Sequence, residues 1–316
     1  MLRRLLSVCL FALTAVSGRA DVTVRQAMEF HIKMALPAGQ QLPAPFNGPV
    51  EILARVKGER AYTTFGSMVV ITDAAKNRIT LIDNPNKRYA TGSLSDYMAM
   101  AGKGFNAAAL PPQALQLLAN IKVDADSHET GRSERIQGID AVEREVIVNI
   151  SIPIPVPMPG LENGLQLTGK FECWQPKAGE IERVPALREL VAYRSHAGRM
   201  GDPGAIVKQM FGALPGLGDN IQKLVDELSK GGPVHLRIHG ALFVPGLAAI
   251  MAQARANGAN VPDVPGPDSP LVELSIEMKD LSADPVPDSV FEVPEGYQTA
   301  AMEDLAKGMM AGASKK

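Results

Sequence analysis

The chain has 316 residues, 46% of them hydrophobic, with 32 basic and 34 acidic side chains and a net charge of −2 at pH 7. That composition supports a folded domain, and its slightly acidic balance excludes the basic footprint that nucleic acid or anionic lipid headgroups require. Only two cysteines are present, so a disulfide framework is excluded as the main source of stability.

Residues Met1 to Ala20 read as a cleavable export signal. Arg3 and Arg4 provide the positive start, Leu5 to Val16 the apolar stretch, and Gly18 and Ala20 the small side chains a signal peptidase accommodates. The apolar stretch falls short of the roughly 20 residues that span a bilayer, so no stable membrane anchor is expected. Cys9 lies inside that stretch behind the bulky Val8, which argues against lipidation. Cleavage near Ala20 removes Arg3, Arg4 and Arg19, moves the net charge from −2 to −5 and leaves Cys173 alone. The mature protein is expected in the periplasm or secreted.

Alternation with period two then dominates. Val24, Met28, Phe30, Ile32 and Met34 share one face of a strand against Arg25, Glu29, His31 and Lys33. Val50, Ile52, Ala54 and Val56 repeat the pattern, as do Val272, Leu274, Ile276 and Met278 near the other end. Such segments are antiparallel strands with one covered and one wet face. Lys57-Gly-Glu-Arg and Asp83-Asn-Pro-Asn are turn signals between them. Leu165, Leu167, Gly169, Phe171 and Cys173 also share a face, which predicts a buried, inert thiol.

Helix signals lie mostly in the middle. Segments 93–100, 112–120 and 186–194 are short candidates, and Asp202-Pro203 is a start signal. Ile221, Leu224, Val225 and Leu228 form an apolar stripe closed by Gly231-Gly232. Helices grouped between hairpins predict one α+β domain over residues 21–299, a large antiparallel sheet packed on a few central helices. The proline-alternating stretch near 152–163 and the alanine-rich, then proline-rich stretch 245–270 read as insertions, and 300–316 as a tail.

The hairpin Asn77-Arg-Ile-Thr-Leu-Ile-Asp with Lys87-Arg-Tyr-Ala, and the ending Ser289-Val-Phe-Glu-Val-Pro-Glu-Gly-Tyr297, resemble elements of bacterial exported proteins related to the LolA/LolB-like superfamily of periplasmic lipoprotein carriers. This resemblance implies a strongly curved sheet, an incomplete barrel, closed on its concave side by helices. It also implies an apolar cavity for acyl chains, without catalysis or a metal. The two insertions have no counterpart in those carriers.

The residues bearing chemistry are few. His235 and His239 have the His-x-x-x-His spacing of some helical zinc sites, but Val234 to His239 alternates like a strand. Four strand residues span roughly 13 Å, too far for two ligands of one ion. His235, Arg237 and His239 therefore read as a solvated polar face. His31, His128 and His196 lack a neighbouring ligand pattern, and Asp124 and Asp126 read as surface alternation. Hydrolase elbows, paired-cysteine motifs and phosphate loops are absent from the sequence. Thirteen methionines remain beyond Met1, and their flexible thioethers suit either irregular cores or cavities that accept varied apolar ligands.

The expectation is a non-enzymatic exported protein, without cofactor or metal, that binds a lipid or lipoprotein acyl chain on the concave face of its sheet. Met28, Phe30, Ile32, Met34, Leu274, Ile276 and Met278 are the candidate lining residues. The alternative is a structural or partner-binding envelope protein whose core is filled by its own side chains.

Overall fold

The computed structural model describes residues 21–33, 48–97, 120–153, 161, 164–200, 223, 226–227, 230–259, 261 and 263–305. Twelve strands form one open, curved sheet: β1 (Val22–Ile32), β2 (Val50–Lys57), β3 (Arg60–Phe65), β4 (Met68–Asp73), β5 (Arg78–Asp83), β6 (Arg88–Ser93), β7 (Lys122–Ile136), β8 (Ile139–Ile152), β9 (Leu165–Pro176), β10 (Arg237–Phe243), β11 (Val272–Ser282) and β12 (Gln298–Thr299). Their spatial order is β12-β6-β5-β4-β3-β2-β1-β11-β10-β9-β8-β7. The longer described helical elements include α1 (Glu180–Arg183), α2 (Pro185–Met200) and α3 (Leu247–Ala256), with a 3-10 turn at Asp288–Phe291.

The class is α+β, as alternation and helix grouping predict, but the sheet is mixed rather than purely antiparallel. β12 runs parallel to β6, with Gln298 opposite Arg88 and Thr299 opposite Tyr89. Two residues are too few to display a period of two, which is why this strand left no sequence signal. β1 and β11, from opposite ends of the chain, pair at the centre of the sheet. In β11 one extra residue, Lys279, interrupts that ladder, because Arg25 faces Asp280 and Gln26 faces Met278.

The helix expected over 186–194 exists and continues to Met200, while the alanine-rich start of the second insertion forms α3. Residues 94–97 are helical, as are the described Lys223, Asp226 and Glu227. The start at Asp202, the apolar stripe at Ile221, Leu224, Val225 and Leu228, the 112–119 segment, the proline-alternating stretch 154–160 and residues 306–316 lie outside the described residues.

Burial follows from the registers. Helix α2 brings Ala186, Leu187 and Leu190, one face at helical spacing, against Val22, Val24, Val56, Ala61 and Met278 of the sheet. Further along, β4 and β5 are covered on both faces. Val69, Ile71 and Ile82 pack under Val286 and Phe291, while Ile79, Leu81 and Ala90 pack with Leu305. Adjacent Leu81 and Ile82, which point to opposite faces and are both buried, are the sequence counterpart of that double cover, and the buried Thr80 hydroxyl between the apolar side chains bonds Thr91 at 2.9 Å. The chain after β11 thus crosses one face, turns the edge through β12 and reaches the other. Its course is fixed early, where the Val286 amide donates to Asp21 Oδ2 at 2.6 Å and Lys57 Nζ donates to the Val286 carbonyl at 2.9 Å.

Two local features give measurable predictions. β7 and β8 are joined by the two-residue turn Gln137-Gly138, with φ of 50° and 75°. Positive φ at both positions is the type I′ pattern, which asparagine tolerates better than glutamine. Gln137→Asn is expected to stabilise the protein by about 0.5 kcal/mol, read as a rightward shift of a urea unfolding curve.

The second concerns Glu180, which ties α1 to the start of β8. Its carboxylate pairs with Arg183 and accepts the Asp140 amide at 3.0 Å. The Arg183 hydrogen bonds, opposed by partial burial and helped by the Asp140 amide, hold its carboxyl down to about 2. A lowered carboxyl contributes stability above its unfolded value near 4.5, and that contribution is lost as pH falls toward about 2. Glu180→Gln should therefore flatten the acid limb of a stability–pH profile between those values and change little of its slope near neutrality.

Candidate apolar binding face

The ladders assign each strand residue to one of two faces. On one face β1 presents Gln26, Met28, Phe30 and Ile32, opposite Met278, Ile276, Leu274 and Val272 of β11. β2 continues it with Ile52 and Val50, opposite Gln26 and Met28. β10 adds Ile238 and Leu242, and β9 adds Phe171. Helix α2 covers the end of this face that holds Val22, Val24 and Met278. Beyond it, Met28, Phe30, Ile32, Leu274 and Ile276 are half-buried. They form a contiguous apolar patch.

Two glycines make the patch shallow. Gly169 and Gly240 lie on the same face, and a Cβ at either would sit 2.9 or 2.8 Å from the Phe171 ring. The ring therefore lies down across both backbones instead of standing off the sheet. Glycine costs a strand stability, and close approach of another group is one reason to retain it.

The opposite face carries charge. Arg237 reaches Glu134 with two bonds of 2.9 and 3.1 Å, Arg25 pairs with Glu51 at 3.0 Å, and Lys33 with Glu273 at 2.8 Å. Exposed pairs of this kind add little stability, yet they keep that face hydrated and unsuited to an apolar ligand.

The residues expected to line a cavity are thus partly brought together. Met28, Phe30, Ile32, Leu274 and Ile276 form the patch. Met278 does not belong to it. It is 0% exposed and packs in the core with Val22, Leu187 and Leu236, so it cannot touch a ligand. The reason is α2, whose position over this end of β11 was not readable from the strand pattern. Met34 lies outside the described residues, since β1 ends at Ile32. Phe171, Ile238, Leu242 and Ile52 join the patch without having been singled out. Alternation around each was visible, but the pairing of β9 and β10 with β11 was not.

The polar candidates resolve differently. His239 is exposed on β10, 4.0 Å from Glu172. His235 departs from the solvated-face expectation: β10 begins only at Arg237, and His235 is half-buried against the Gln175 amide at 2.9 Å. No group of three potential metal ligands occurs among the described residues. Asp124 and Asp126 are exposed on β7. Cys173 is 1% exposed, and burial pushes its thiol up to about 11, so it stays protonated.

The chain matches no protein-family model and no curated protein. No described helix is long and apolar enough to cross a membrane. What the site can do chemically follows from its own residues. It offers dispersion and burial to an apolar chain, with a flat aromatic floor on one side and adaptable methionine on the other.

Proposed function

We propose that the protein is a non-enzymatic exported carrier that binds a lipid or lipoprotein acyl chain along this apolar face, in the manner of the LolA/LolB-like carriers it resembles, with the sheet acting as an incomplete barrel. The observation that carries the reading is the contiguous half-buried row of Met28, Phe30, Ile32, Leu274 and Ile276, bordered by the flattened Phe171. The patch crosses five neighbouring strands, roughly 19 Å at a spacing of about 4.8 Å, which suits a long extended chain. Each methylene shielded from water contributes about 0.8 kcal/mol at full burial, so a chain lying across the patch gains steadily with length.

The export reading has its own support. Val22 is 0% exposed and starts the central strand one residue after Asp21, whose carboxylate receives the Val286 amide. Among the described residues the core thus begins at Val22, just past the proposed cleavage point.

Native mass spectrometry and lipid extraction of the protein isolated from a periplasmic fraction test both parts. The expected result is a chain beginning near Asp21 with bound lipid, and saturable uptake of a fluorescent fatty acid by the delipidated protein. A preparation with no lipid and no uptake would leave the filled-core envelope protein as the better reading.

A further inference from the structure

A second concavity lies on the charged face, remote from the apolar patch. It is a cleft of about 350 Å³ where β2, β1 and β11 are overhung by the segment that follows β11. Its size falls within the range of small-ligand sites. The floor is set by cross-strand register: Arg55 faces Thr23, Thr23 faces Ser282, and Arg25 faces Asp280. Val286 and Val290 form an apolar wall.

The charges on this floor are arranged unusually. Arg25, the natural partner of Asp280, is engaged by Glu51 at 3.0 Å. Asp280 has no ion-pair partner among the described residues, and neither does Arg55, whose guanidinium lies 6.0 Å from the Tyr62 ring centre. One cation, Arg55, and two anions, Asp280 and the Ser282-bonded Asp284, thus stand without an ion pair among the described residues on the same concave surface. A simple anion drawn to Arg55 meets the Asp280 carboxylate, and a simple cation meets the reverse. The complementary ligand carries both charges, separated.

Strand geometry sets that separation. Arg55 and Asp280 are two strands and two residues apart, roughly 12 Å between Cα positions. A free amino acid is too short to reach both groups. An extended chain spans about 3.3–3.6 Å per residue, so three residues cover roughly 10 Å. We propose that the cleft binds a short peptide of about three residues with both termini free. Its carboxylate meets Arg55 and the Thr23 hydroxyl, its ammonium meets Asp280, and small apolar side chains rest on Val286 and Val290.

Calorimetric titration of the full chain with tri-L-alanine tests this directly. The expected result is saturable one-to-one binding, weakened at least tenfold when the peptide is N-acetylated or C-amidated. Arg55→Ala and Asp280→Asn should each weaken it by at least tenfold with unchanged melting temperatures. Should a variant fold poorly, the two blocked peptides still decide on the unmodified protein. Absence of saturable binding up to about 10 mM peptide, far weaker than useful recognition, overturns the proposal. So does equal binding of the blocked and free peptides. Fatty-acid uptake by the same variants should stay unchanged, because the two surfaces are on opposite faces.

Discussion

Arg132→Ala is expected to destabilise the protein more than removal of the glutamate that Arg132 serves. Glu143 sits on β8 with its side chain 0% exposed. Opposite it β7 bulges: the register passes from Glu129–Arg144 directly to Ser133–Val142, leaving Thr130, Gly131 and Arg132 to face Glu143. Gly131 supplies the positive φ of 79° within this bulge. The Thr130 hydroxyl donates to Glu143 Oε2 at 2.6 Å, and the Arg132 guanidinium engages both carboxylate oxygens while reaching Glu172 at 3.3 Å.

The two partners differ in what they retain when separated. Arg132 is 56% exposed and can turn to water, whereas Glu143 cannot. A carboxylate left buried without its counter-charge costs about 3–5 kcal/mol. Urea unfolding at pH 7 should therefore show the larger loss for Arg132→Ala and a smaller one for Glu143→Gln. The double variant Arg132→Ala/Glu143→Leu should regain much of the loss, since no charge remains buried. Equal losses for the two single variants, with no recovery in the double variant, would contradict this account.

The same bulge illustrates what a sequence conceals. The strands β1, β2 and β11 announce themselves because each alternates over several residues, and the hairpin from β5 to β6 is marked by Asp83-Asn-Pro-Asn. Register between distant segments has no such mark. His235 and Arg237 have the same parity and read as one face, yet the strand starts between them and His235 turns to Gln175. Met278 and Ile276 are likewise indistinguishable as letters. One lies under α2 with 0% exposure and the other is half-buried, because helix placement depends on contacts with Val22, Val56 and Leu236. In the doubly covered β5, adjacent Leu81 and Ile82 are both buried, so the two faces of one strand lie under different parts of the chain after β11. The candidate site was therefore legible as a set of apolar faces. Its limits were not, since they are drawn by non-local packing and by the glycines that let Phe171 lie flat.

Those limits yield the sharpest functional expectation. Ile276 stands at the middle of the apolar patch, opposite Met28 on one side and Ile238 on the other. Ile276→Asp places a carboxylate where an acyl chain would run, and desolvating that charge opposes binding directly. Affinity for a fluorescent fatty acid should fall at least tenfold, about 1.4 kcal/mol, while the half-buried position lets the charge reach water in the free protein and spares the fold. Ser275→Asp is the matched control. It adds the same charge one residue away on the opposite face, between Glu29 and His239, and should leave uptake unchanged. Met278→Asp, by contrast, introduces a charge into the closed core and should abolish folding. Gly240→Ala probes the floor separately, because its methyl group would lift the Phe171 ring and weaken uptake without adding charge. If Ile276→Asp and Ser275→Asp take up the fatty acid equally well, the apolar face is not where the chain binds.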